Sequence, residues 1–254
     1  VHKIFDSHGH YTDEKFAEDG LALLDRLFDG PVGAILNCSV TYQDACNALK
    51  LARRYPGMYV AAGIHPENVE ESTPEDLEKL RTMWADPKVV AVGEIGLDYH
   101  WDTPRDQQLF YFERQLQIAG ELDMPVVIHD REAHGDTWEL LKKYRPRGVV
   151  HCFSGSVQMA QDILGLGMYI GFTGVVTFSN ARRPLEAAAA VPRDRLLLET
   201  DCPYMAPVPC RGQRCDSGMI SYTAAPLATQ KGVSVPELID ICAENAARLF
   251  GIKL

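Results

Sequence analysis

Five histidines, a glutamate and an aspartate each stand just beyond a short apolar run, spread along the whole chain. His8 and His10 follow Lys3-Ile4-Phe5-Asp6, and His65 follows Tyr59-Val60-Ala61-Ala62. Glu94 ends Val89-Val90-Ala91-Val92, and His129 ends Pro125-Val126-Val127-Ile128. His151 follows Val149-Val150, and Asp201 follows Arg195-Leu196-Leu197-Leu198. Imidazoles and carboxylates are ligands for divalent cations. Carried at the carboxyl ends of parallel strands, they would converge on one face of a barrel.

Residues two apart in extended chain point the same way, so His8 and His10 can present both imidazoles to one ion. An isolated pair of this kind is more often a surface or core-edge feature; further histidines at equivalent positions change that balance. Glu94 would be costly to bury unpaired. It either pairs with a basic neighbour or bridges two cations, one oxygen to each. Asp98 either fixes its loop or orients a ligand from behind. His129 and His151, on adjacent strands, can serve a second ion. Asp201 is placed to touch a metal and to accept a proton from water there. Glu199 shares its face and could position substrate or tune His65, which could itself bind a leaving group instead of a metal. Arg131 could clamp a phosphate or pair with a local carboxylate. Cys152 beside His151 suggests a thiol nucleophile, but neighbours in a strand face opposite ways. No GxSxG, GxGxxG or P-loop lysine motif occurs.

These groups need a scaffold, and the pattern alternates strand with helix throughout. Strands are expected at 3–8, 33–38, 58–63, 89–94, 125–129, 148–152, 168–172 and 195–200. Helices are expected near 14–28, 42–54, 75–84, 105–122, 136–144, 157–166, 181–190, 221–231 and 236–249. Thr73-Pro74-Glu75-Asp76 and Thr103-Pro104-Arg105-Asp106 each read as threonine N-cap, proline N1 and acidic N3. Ser234 to Glu237 has capping-box spacing, and Gly120, Gly167 and Gly251 sit near helix ends. Residues 202–220 read as one long loop overhanging the ligand face. The expected architecture is a single (β/α)8 TIM barrel over residues 1–254; an open doubly wound sheet would not gather ligands from six strands.

Composition is that of an ordinary globular chain, 46% hydrophobic and 24% charged. A net charge of −10 argues against a broadly basic surface that coats nucleic acid, although bound cations would reverse the local sign. Seven scattered cysteines without a CxxC suggest a reducing compartment, with Cys210 and Cys215 as two unrelated loop thiols. The opening Val1-His2-Lys3-Ile4-Phe5-Asp6 is strand-like, with no signal-peptide pattern, and no run reaches membrane-spanning length. Cytoplasmic location, no membrane and no obligate protein partner are expected.

The motifs together resemble the TatD family of metal-dependent hydrolases. The matching segments are Asp6-Ser7-His8-Gly9-His10, Gly63-Ile64-His65-Pro66, Gly93-Glu94-Ile95-Gly96-Leu97-Asp98-Tyr99, Pro125 to His129, His151-Cys152-Phe153-Ser154-Gly155 and Leu198-Glu199-Thr200-Asp201-Cys202-Pro203-Tyr204, with Glu244 to Phe250 at the end. The resemblance implies two divalent cations (Zn, Mg, Mn, Fe or Co) and deoxyribonuclease activity. His8, His10, Glu94 and Asp201 would hold one ion, and Glu94 would bridge to a second on His129 and His151. His65, Glu199 and Asp201 would be the catalytic residues; Arg131, Ser154, Arg211 and Arg214 are candidate substrate contacts. Cys210 to Gly218 departs from the family's Arg-Gly-Lys-Arg-Asn-Glu-Pro, keeping the basic pair and losing the rest. A site sunk in a cup suits DNA strand ends, hence exonuclease action. The alternatives are hydrolysis of a small ester, amide or phosphate, including aminoacyl esters on tRNA, or a catalytically silent metal-binding barrel.

Overall fold

The computed structural model describes residues 3–253, so Val1 and His2 of the strand-like opening lie outside the described residues. Eight parallel strands follow one another round a ring in chain order. They are β1 (Ile4–Gly9), β2 (Val32–Cys38), β3 (Met58–Ala62), β4 (Val89–Asp98), β5 (Val126–Arg131), β6 (Gly148–Val150), β7 (Tyr169–Phe172) and β8 (Leu196–Leu198). The ring closes beyond the end of β8. There Asp201 N–H donates to the His8 carbonyl at 2.9 Å, and His10 N–H donates to the Cys202 carbonyl at 2.8 Å. This is the (β/α)8 barrel, and its unbroken strand order excludes the doubly wound alternative.

The helices are α1 (Gly20–Asp29), α2 (Tyr42–Ala52), α3 (Pro74–Met83), α4 (Arg105–Leu122), α5 (His134–Tyr144), α6 (Val157–Gly165), α7 (Arg182–Ala190), α8 (Ile220–Lys231) and α9 (Val235–Phe250). Among the described residues none is long and apolar enough to cross a membrane. Thr73 and Ser234 cap α3 and α9 as their spacing predicts. Three local expectations shift. Pro104, extended at ψ 118°, is the N-cap of α4, and the Thr103 carbonyl instead accepts the Gln108 amide. Gly120 lies inside that helix, which ends on left-handed Asp123 at φ 51°. The first expected helix divides, because Asp13 caps a separate 3-10 turn over Glu14–Phe16.

Two apolar layers result. The outer one packs helices onto strands, with Ile35, Met58, Val60, Val92, Ile128 and Ile170 fully buried. The inner one fills the barrel with Phe5, Ala34, Leu36, Ala61, Ala91, Val127, Val149 and Leu197. Helix α9 closes its lower mouth through Leu249 and Phe250. Strand alternation carries this inner layer upward into the polar one. Val127 is followed two residues on by His129, Val149 by His151 and Leu197 by Glu199, while Asp201 lies beyond β8 on a left-handed turn at φ 58°.

Alternation alone does not aim His8, His10 and Glu94. Between Asp6 and Gly9 strand β1 spends three residues against two in β2. Between Val92 and Ile95 strand β4 spends three against two in β5. Each extra residue is a bulge that reverses the inward phase just where a ligand is needed.

Asp6 takes the outward phase and secures the seam. Its carboxylate accepts the Thr200 hydroxyl at 2.6 Å, the Ser217 hydroxyl at 2.7 Å, the Thr200 N–H at 3.0 Å and the His8 N–H at 3.3 Å. Burial raises its pKa to about 7 against the pull of those donors. Asp6→Ala should leave several buried donors unpaired and cost about 3 kcal/mol in urea unfolding. A loss within about 0.5 kcal/mol, the usual range for a surface change, would show that the seam does not depend on it.

Candidate metal centre

The side chains gather at the floor of a cup of about 940 Å³ above the strand ends. Glu94 is its centre, 2% exposed. Its two oxygens face different groups. Oε2 lies 3.1 Å from His8 Nε2 and 3.4 Å from His10 Nε2, and Asp201 Oδ1 lies 3.2 Å from the same His10 nitrogen. Oε1 lies 2.7 Å from His151 Nε2, 3.0 Å from His129 Nδ1 and 3.4 Å from His65 Nε2. By these distances two adjoining donor groups share the Glu94 carboxylate, and a further grouping sets Glu199 with His8 and His151.

Supporting bonds settle which nitrogens carry lone pairs. His10 Nδ1–H donates to the Cys38 carbonyl at 2.9 Å, so neutral His10 turns a bare Nε2 toward Glu94 and Asp201. His129 Nε2–H donates to Asp98 at 2.9 Å, so its bare Nδ1 faces Glu94. A lone pair held against a carboxylate oxygen is repulsive, so either a proton or a metal cation must lie between them. Mixed imidazole and carboxylate donors suit Zn, Mn, Fe or Co, and the residues fit such an ion. His65 differs. Its Nδ1 accepts the Glu67 N–H at 3.1 Å, so Nε2 bears the hydrogen and points a donor into the cup. Its ligand-like distance to Glu94 and His129 is therefore not ligand-like chemistry.

Electrostatics follow from the crowding. Burial opposes the charge on Glu94, but His151, His8 and His65 outweigh it and hold its pKa well below the carboxylate range. Burial likewise opposes protonation of His10 and His129. Asp201 and Glu94 hold His10 at about 9, and Asp98 and Glu94 hold His129 at about 9. Burial and His151 push His8 down.

The other expected contacts divide. Glu199 is fully buried beneath the floor. It accepts the Cys152 N–H and the Ser7 hydroxyl, and lies 3.5 Å from His151 Nδ1. It therefore stands beside His151 and, fully buried, offers no surface to the cup. Gly171 makes room for it, since a Cβ there would meet its Oε2 at 2.3 Å. Arg131 and Ser154 line the cup. Arg211 stacks on Phe178 at 3.8 Å, and Arg214 is forked onto Asp19 at 2.6 and 2.8 Å; neither lines the cup. Arg214 prefers Asp19 because a bidentate carboxylate satisfies its planar fork. Cys152 does line the cup, contrary to the strand-parity expectation, because β6 ends at Val150 and Cys152 turns at φ 42°. Burial and Asp201 raise its thiol to about 12, which disfavours the thiolate a nucleophile needs. All seven cysteines are free.

Two buried glutamines went unread in the sequence. Gln108 brackets Asp98 through its N–H and carbonyl, and Gln115 does the same for Ile64 beside His65. Their signal is an amide on the buried face of α4.

Barrel and donor cluster together define a metal-dependent hydrolase. Residues 5–251 match the model of the family described as TatD related DNase. The chain belongs to that family. It is 37% identical to the uncharacterized metal-dependent hydrolase YabD of Bacillus subtilis, over 98% of this chain and 100% of that one. It is 34% identical to the 3'-5' ssDNA/RNA exonuclease TatD of Pantoea vagans, over 97% and 99%. The crystal structure of YJJV, a TatD homolog from Escherichia coli, superposes with a TM-score of 0.93 at 33% identity, covering 98% of each chain.

Because His10 and His129 have pKa values near 9 without metal, both carry protons at pH 7. Metal uptake must displace them, together with the proton that Glu94 and Glu199 hold on His151, so apparent affinity should rise with pH through about 9. Titration calorimetry in buffers of different ionisation enthalpy should read proton release at pH 7. Heats independent of the buffer would refute this assignment.

Proposed function

We propose that the chain is a two-cation phosphodiesterase that removes nucleotides from single-stranded DNA ends in the 3'-5' direction. The division of the Glu94 oxygens between two donor groups carries the reading. His8, His10, Glu94 and Asp201 would hold one divalent cation, and Glu94, His129 and His151 the other. A cation pair there would supply an activated water near neutral pH and charge neutralisation at the phosphoryl group. The remaining work falls to the protein. Asp201, 15% exposed on the cup floor, is placed to accept a proton. His65 Nε2–H can donate to the oxygen that leaves. Asp98 holds the ring of His129 in one tautomer, and Glu199 lies behind His151.

The relative from Pantoea vagans bears the name of a 3'-5' ssDNA/RNA exonuclease, which supports strand ends as substrate. A cup with one arginine and no lysine among its described lining residues suits a short engagement better than a grip along a duplex. One observation favours a second reading. Asp13, Asp44, Glu67 and Glu71 line the same cup and would tolerate a small, less anionic ester.

Glu94→Ala should empty both metal positions together, read by elemental analysis of purified protein. Two ions retained per chain would remove the bridging role. With metal restored, linear single strands should shorten progressively from the 3' end while covalently closed circles resist. Equal cutting of circles would overturn the exonuclease reading. Hydrolysis of an aminoacyl or small carbonyl ester, with neither DNA cut, would favour the second one.

A further inference from the structure

The cup rim is divided by strand order. Asp13, Asp44, Glu67 and Glu71 come from the segments after β1, β2 and β3. Phe153, Phe172, Val175 and Val176 line the side built after β6 and at β7. Between these sectors stand Trp101, after β4, and Asp130 and Arg131, at the end of β5, with Asp130 paired to His134 at 2.7 Å.

Trp101 is 52% exposed and belongs to neither apolar layer, although its neighbour Tyr99 packs on the outer one. A half-bare indole gains little by staying in water. Yet its loop is pinned on both sides. Asp98 accepts the His100 N–H at 2.9 Å, and His100 Nδ1 pairs with Glu132 at 2.8 Å. Gln108 spans the Asp98 and Thr103 carbonyls, and Tyr99 N–H donates to the Arg131 carbonyl. Asp98 is also the carboxylate that orients His129. The backbone that carries the indole is therefore fixed relative to the donor cluster. The Arg131 guanidinium stands 5.7 Å from its ring.

We infer that Trp101 and Arg131 form a subsite for an unpaired nucleotide, with the base stacked on the indole and the guanidinium on an adjoining phosphate. The inference rests on the nuclease reading above. A flat aromatic face takes any base but only when it is unstacked from a partner strand, which selects single-stranded ends. The acidic sector repels the backbone and directs it toward the arginine.

The test uses the metal-loaded enzyme and two single-stranded oligonucleotides, one normal and one with its last three 3' nucleotides abasic. Trp101→Ala should lower kcat/KM on the normal strand by about 5- to 150-fold, the range of one lost stack, mainly through KM. It should leave the abasic strand unchanged, and Trp101→Phe should restore most of the loss. Arg131→Gln should weaken both substrates alike. An equal fall on both strands for Trp101→Ala would make its role structural and overturn the subsite, as would no fall on either. If the wild-type enzyme cuts no strand end at all, the nuclease reading itself fails and the subsite falls with it.

Discussion

A carboxylate buried at the end of β4 sets the conditions for the rest of this molecule. Glu94 is withdrawn from water in a place where an unpaired charge would cost several kcal/mol. Imidazoles from the ends of β1, β3, β5 and β6 surround it. A flat or open sheet could bring two or three of these together; the closed ring brings all of them. The barrel is thus the geometry that makes the central charge affordable, and the seam at His8 and Asp201 is where it must hold.

Keeping that charge useful requires control of protons. His10 and His129 each give one nitrogen to an acceptor behind them, which leaves the other facing the carboxylates. His65 is wired the opposite way and keeps a donor in the cup. Three histidines within one small space therefore have two distinct chemical characters. The difference lies in a backbone carbonyl, a carboxylate and a backbone N–H, not in the imidazoles themselves. Polar groups farther back serve the same end. Gln108 and Gln115 hold the backbone of the ligand loops, and Asp6 ties the first strand to the turn after the last.

The cup above this floor is uneven. Its acidic sector and its sparse cations limit how much polyanion it can hold, in keeping with the overall charge of −10. Arg214 shows how a basic residue near a ligand loop is lost to substrate when a carboxylate of matching geometry is closer.

Short apolar runs determined the eight strands and put the candidate ligands at their carboxyl ends, because a run buried on both faces is a local property of the chain. Capping residues likewise marked α3 and α9, since a cap is a contact within four residues. The tertiary structure decided what depends on a neighbour far away in the chain. The bulges that turn His8 and Glu94 inward exist only as a mismatch between paired strands. Glu199 was legible as a carboxylate on the inner face, but that it lies behind His151 depends on the gap left by Gly171 in the next strand. Asp6 meets Thr200 and Ser217 across some two hundred residues, and the turn at Cys152 reverses a parity that its sequence neighbours suggest. Periodicity reports which way a residue points within its own strand; which partner waits there is set when the ring closes.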